Sequence, residues 1–88
     1  MSKIQISYDL KKPDKDYQKL YEYIKSFHNW AKPLESLWVV KTSKTVQQVR
    51  DELQTHVDQN DKLLVIDVTN DSMSWYNLSQ EVVNWLKD

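Results

Sequence analysis

The residues best placed to do chemistry cluster near the start of the chain. Asp9 closes the stretch Ile4-Gln5-Ile6-Ser7-Tyr8-Asp9, and a basic run of Lys11, Lys12 and Lys15 follows it. A carboxylate held at a strand tip can act as a general base or as a hard oxygen ligand for Mg²⁺ or Mn²⁺. One carboxylate binds such an ion poorly. A second could come from another subunit by symmetry, and Asp61 could supply a third. The lysines could meet phosphates. A plainer reading uses the same residues: Asp9 caps a turn or pairs with Lys11 or Lys12, and the lysines form a solvated face diluted by Asp14 and Asp16. His28 and His56 could work as an acid–base pair, or could sit against the dipoles of two helix C-termini. No serine lies in a recognisable nucleophile motif.

Aromatic residues are the other resource, with four tryptophans and five tyrosines in 88 residues. Tyr17 and Tyr21 fall on an apolar helical stripe and belong to a core. Tyr23 lies off it and is the surface candidate for stacking on a base. Trp75-Tyr76 falls in a loop and reads as a lid or an interface anchor. Trp38 and Val65 join these two as candidate interface residues.

Composition removes several function classes. No glycine is present, so neither a Gly-rich phosphate loop nor a dinucleotide fingerprint can be built. Left-handed turn positions must then fall on residues such as Asn29, Asn60 or Asn70. No cysteine is present, which excludes disulfides and thiolate metal sites. A reducing cytosol is the simplest compartment, and a cytoplasmic protein is expected. No basic segment followed by an apolar run suggests a signal peptide, and no apolar run approaches the ~20 residues that span a bilayer. Twelve basic against thirteen acidic residues give a net charge of −1, so a polyanion partner would need a local patch. A chain this size buries roughly 60–65% of its unfolded surface, and a homodimer interface would help it.

The elements that position these residues are legible from periodicity. Ile4, Ile6 and Tyr8 alternate with polar residues, which marks a strand over 4–9. Tyr17, Leu20, Tyr21, Ile24 and Phe27 mark a helix over 15–28. Residues 30–35 and 36–42 read as two strands joined by a kink or tight turn, with Pro33 assigning the first to an edge or a bulge; one long bent strand is the alternative. Thr45 and Gln48 form a capping-box signature opening a helix over 46–58. Leu63–Val68 is the clearest strand, within 62–69. Leu64, Ile66 and Val68 form one face; Leu63, Val65, Asp67 and Thr69 form the other. A helix around 78–86 closes the chain, capped by Asn77 or Ser79. The order β-α-β-β-α-β-α predicts a single α/β (α+β) domain over 1–88: a ferredoxin-like βαββαβ core over 3–69 with sheet order 4-1-3-2, and a C-terminal helical extension over 72–88. In that arrangement Asp61 lies near Asp9. The sheet face opposite the first two helices is expected to carry Gln5, Ser7, Asp9, Val65 and Asp67, covered by the last helix or by a second subunit.

Strand, Tyr8-Asp9, helix, and then Ser36-Leu37-Trp38 together resemble the Cas2-like group of small ferredoxin-fold proteins. That group includes the CRISPR adaptation family Cas2, VapD-type toxin ribonucleases and short bacterial proteins labelled SinR-like. Its first strand ends in Tyr-Asp, and a later strand carries Ser-Val-Phe, similar to Ser36-Leu37-Trp38. The resemblance covers about residues 3–69. It implies a symmetric homodimer with two aspartates flanking the axis, where they have been proposed to bind a divalent metal for phosphodiester cleavage. Lys32 and Leu34 replace the usual Arg and Gln ahead of that motif, and a helix replaces the usual C-terminal strand.

Two functions from different classes are therefore expected. One is a nucleic-acid-associated homodimer, a Mg²⁺- or Mn²⁺-dependent nuclease on RNA or DNA, with Asp9 holding metal and Lys11, Lys12 and Lys15 positioning phosphates. The other is a non-catalytic module that binds protein, such as a regulator or inhibitor of a nucleic-acid-processing machine. Neither involves a nucleotide cofactor or a membrane.

Overall fold

A computed structural model describes residues 1–12 and 16–88. The expectations on Asp14 and Lys15 fall outside the described residues. The chain runs β1 (Ser2–Asp9), α1 (Gln18–Lys25), β2 (Trp30–Leu34), β3 (Leu37–Thr42), α2 (Val46–Gln54), β4 (Lys62–Asp67) and α3 (Gln80–Lys87). The four strands form one sheet in the order β2-β3-β1-β4, with every neighbouring pair antiparallel.

Local chemistry explains the element ends. Thr45 accepts a hydrogen bond from the Gln48 amide while the Gln48 side chain accepts one from the Thr45 amide, which satisfies two amides that the first turn of α2 would leave open. Ser79 is the cap of α3, accepting from Val82 N at 3.2 Å. Pro33 sits in a register shift between Ala31 and Leu34 on an edge strand, where its missing N–H costs no ladder bond. Glu35-Ser36 is the tight turn between β2 and β3. Among the described residues, left-handed backbone falls on His28, Asn70 and Asn77. Asn70 was expected; His28 rather than Asn29 makes the turn that ends α1, and Asn60 does not take up this backbone conformation.

Ile4, Ile6, Trp38 and Val40 point from β1 and β3 into one cluster with Leu20 and Ile24 of α1 and Val49 and Leu53 of α2. Both helices therefore cover the same sheet face. The opposite face is covered in part by α3: Val83 is buried, as are Ala31 and Val39, and the Lys3 ammonium donates to the Leu86 carbonyl at 2.7 Å. Trp85 Nε1 donates to Asn29 Oδ1 at 2.9 Å, and Lys41 Nζ lies 4.5 Å from the Trp85 ring. Among the described residues, no helix is long and apolar enough to cross a membrane.

The register of β4 corrects the expected faces. Ile6 lies opposite Val65, Tyr8 opposite Leu63, and Ser7 opposite Leu64. Directly opposed residues share a face. Leu63, Val65 and Asp67 therefore belong to the helix-covered side, and Leu63 and Val65 pack on the core. Leu64 and Ile66 project from the other side and stay 58% and 39% exposed. Both faces of this strand are apolar, so periodicity could not choose between them; pairing with β1 does.

Candidate functional site

The tip of β1 meets the start of β4, with Asp9 opposite Lys62. Asp9 Oδ2 lies 2.7 Å from Lys11 Nζ, and both side chains are about half exposed. Lys12 Nζ lies 3.5 Å from Asp58 Oδ2. The described lysines of the basic run are thus paired with carboxylates, and among the described residues the tip carries Asp9, Asp58 and Asp61 against Lys11, Lys12 and Lys62.

Asp61 precedes Lys62 and so lies near the tip of β1, but its carboxylate serves the loops. Oδ1 accepts from Lys11 N at 2.8 Å and from Tyr17 Oη at 2.9 Å; Oδ2 accepts from Asp58 N at 2.8 Å and from Tyr17 Oη at 3.0 Å. Three donors thus converge on this carboxylate, with the single Tyr17 proton shared between its two oxygens. Asp61 staples the loop after β1, the start of α1 and the turn before β4. Burial and the Asp61 hydrogen bond raise the Tyr17 pKa. Among the described residues, no group of three or more His, Asp or Glu side chains is arranged to hold a metal ion.

Tyr23 is not a free surface aromatic. Its hydroxyl donates to Glu52 Oε1 at 2.5 Å, and Lys44 Nζ holds Glu52 Oε2 at 2.7 Å. Its ring meets Phe27 edge-on at 5.3 Å and His56 at 5.4 Å. Tyr23 therefore clasps α1 to α2, a structural role that its position off the apolar stripe did not suggest. Sequence alone placed it off the stripe of one helix; the second helix supplies its partner. His56 packs on this clasp and His28 makes the turn after α1, so the two imidazoles follow different helix ends.

Trp38 is also corrected. It is buried in the core, where its Nε1 donates to Tyr8 Oη at 3.0 Å, and Tyr8 N donates to Ser36 O at 3.2 Å. The two short motifs, Tyr8-Asp9 and Ser36-Leu37-Trp38, thus touch each other and fix the β1–β3 pairing. Burial raises the Tyr8 pKa, which keeps this hydroxyl neutral.

Trp75 and Tyr76 lie in the loop between β4 and α3, and Tyr76 is almost fully exposed. With Met73 they border a groove of about 710 Å³ on the face opposite α1 and α2, floored by Leu37 and Val39. Lys87 Nζ lies 5.5 Å from the Trp75 ring. Leu34, Leu64 and Ile66 add exposed apolar surface to the same face. Sequence reading missed these three as surface residues, because apolar alternation reports burial only when one face is polar. No protein-family model matches this chain, and no solved structure matches it.

Proposed function

We propose that this protein is a homodimeric interaction module on a ferredoxin-like, Cas2-like domain, and that its self-association surface lies along β4, where Leu64 and Ile66 project from the sheet face left open by α1 and α2. The order β2-β3-β1-β4, with the crossovers α1 and α2 on one side, supports the ferredoxin-like reading. The observation that carries the function is the exposure of Leu64 and Ile66, two apolar side chains of a regular strand, on a face that α3 covers only in part. Apolar surface of this kind beside exposed Trp75 and Tyr76 suits association. A second copy is the occupant, since burial against itself adds core to a chain of this size. The charge balance of the strand tip favours this reading over polyanion binding. A cytoplasmic regulator or inhibitor acting on a nucleic-acid-processing machine is the role such a module would fill.

Light scattering on the purified chain tests the reading. A mass twice 10.6 kDa at micromolar concentration supports it, and a monomer throughout overturns it.

A second reading, metal-dependent nuclease, is favoured by one observation: Asp9 is a half-exposed carboxylate at a strand tip beside Lys11 and Lys12. Incubating the wild type and Asp9→Ala with RNA and DNA, with and without Mg²⁺ or Mn²⁺, decides it. Cleavage by the wild type alone establishes the nuclease; equal cleavage by both, or none, removes it.

A further inference from the structure

The two edges of the sheet are treated differently by the sequence. The β2 edge carries Pro33, a register shift and exposed Lys32, all of which discourage strand addition. The β4 edge, Lys62-Leu63-Leu64-Val65-Ile66-Asp67, has no proline and no register shift. Among the described residues no strand lies on its outer side.

The backbone directions of β4 follow from one bond. Val68 N donates to Lys3 O at 2.9 Å, and the register from Ile4–Asp67 to Asp9–Lys62 is unbroken. In an antiparallel ladder alternate residues exchange bonds with a given neighbour. Lys62, Leu64, Ile66 and Val68 therefore turn their amides and carbonyls towards β1. Leu63, Val65 and Asp67 turn theirs outward, away from every strand of this sheet.

We propose, resting on the homodimer reading above, that two copies join edge to edge through β4, antiparallel and centred on Val65. The two four-stranded sheets then become one continuous sheet. A two-fold axis normal to the sheet places like faces side by side. Val65 meets Val65 of the partner subunit, and Leu63 meets Asp67 of the partner subunit. All three outward-facing residues of each strand are then paired. Centring on Leu64 or Ile66 instead puts one of them beyond the end of the opposing strand. In the Val65 register, Leu64 lies opposite the partner's Ile66 and Ile66 opposite the partner's Leu64. The four exposed apolar side chains form one cross-strand cluster, the kind of pairing that stabilises sheets.

This geometry bears on Asp9. Asp9 lies opposite Lys62, which faces Val68 of the partner subunit, which faces the partner's Lys3. The partner's Asp9 is six residues further along. At ~3.4 Å per residue and ~4.8 Å per strand the two aspartates are about 25 Å apart. They cannot share an ion whose ligands stand at ~2.1 Å. Metal chemistry at Asp9, if present, would be confined to one subunit.

The chain has no cysteine, so single introduced cysteines report the register directly. Val65→Cys, Leu64→Cys and Ile66→Cys chains are made, their folding checked by circular dichroism, and each is oxidised mildly and run on a non-reducing gel. Val65→Cys is expected to give a covalent dimer, since hydrogen-bonded pairs at ~5.5 Å between Cα atoms lie within disulfide range. Leu64→Cys mixed with Ile66→Cys is expected to cross-link at least tenfold faster than either alone. A dimer by light scattering in which Leu64→Cys or Ile66→Cys alone cross-links faster than the mixture, or in which none of the three cross-links, overturns the β4 pairing and leaves the module reading intact. A monomer overturns both.

Discussion

Removing one oxygen atom, in Tyr23→Phe, tests whether α1 and α2 are held by a charged clasp. Phenylalanine keeps the ring contacts with Phe27 and His56 and deletes only the donor to Glu52. A hydrogen bond to a charged group contributes ~1.5–3 kcal/mol. Glu52 and Lys44 are each about 40% exposed, so water replaces part of that, and about 1 kcal/mol is the expected loss. At ~2.1 cal/mol/K per residue, 88 residues give an unfolding entropy near 0.19 kcal/mol/K, so the melting temperature falls by about 5 °C. The pH dependence carries a second signature. The Glu52 pKa is lowered from 4.5, first by Lys44 and then by Tyr23. A lowered carboxyl pKa contributes stability that is present above pH ~4.5 and is lost as pH falls through the folded value. The Tyr23 pKa is raised from 10.0, first by burial and then by the bond to Glu52. That contribution is complete below pH ~10 and is lost as pH rises above it. Thermal melts by circular dichroism at pH 3–11 should show the acid limb flattened and the alkaline limb reduced in Tyr23→Phe. A melting temperature within 1 °C of the wild type at pH 7, with both limbs unchanged, would refute the clasp.

Three further outcomes follow from the same geometry. Asp9→Ala should shift stability by less than about 0.5 kcal/mol, because an exposed ion pair contributes little, and urea unfolding measures it. Asp61→Asn should lower the melting temperature more than Asp9→Ala does, since the charged acceptor serves Tyr17, Lys11 and Asp58 together; adding Mg²⁺ should not change the difference between Asp61→Asn and wild type, whereas a metal ligand at Asp61 would widen it. Thr45→Ala should cost about 1 kcal/mol through loss of the cap on α2, read by chemical denaturation, and a cost below 0.3 kcal/mol would contradict the capping account.

The sequence reveals elements better than surfaces, and particular residues show why. Thr45 and Gln48, Pro33, and the alternation from Ile4 to Tyr8 carry their structural meaning locally, within a few residues, and each gave its element. Helix ends were overrun: 15–28 and 46–58 were expected where Gln18–Lys25 and Val46–Gln54 are helical. Val57 continues the apolar spacing past α2 yet packs on the core from the connection that follows it. Which face of β4 is buried is a nonlocal fact. It depends on the partner strand β1, and a strand apolar on both faces conceals it. Tyr23 and Trp38 show the same limit from opposite directions, one partnered by a distant helix and the other by a distant strand. Asp61 was placed correctly near the tip of β1, but the loop amides and the Tyr17 hydroxyl that engage its carboxylate come together only in three dimensions.

Sedimentation velocity on the wild type and Val65→Pro tests the central claim most directly. Proline at 65 removes an amide that points outward from the β4 edge and spares the ladder to β1, so the domain should keep its fold. The wild type is expected to sediment at twice 10.6 kDa, and Val65→Pro as a folded 10.6 kDa monomer with its helical circular dichroism retained. A wild type that stays monomeric up to 100 μM, or a folded Val65→Pro that still dimerises with unchanged affinity, would contradict dimerisation through this edge.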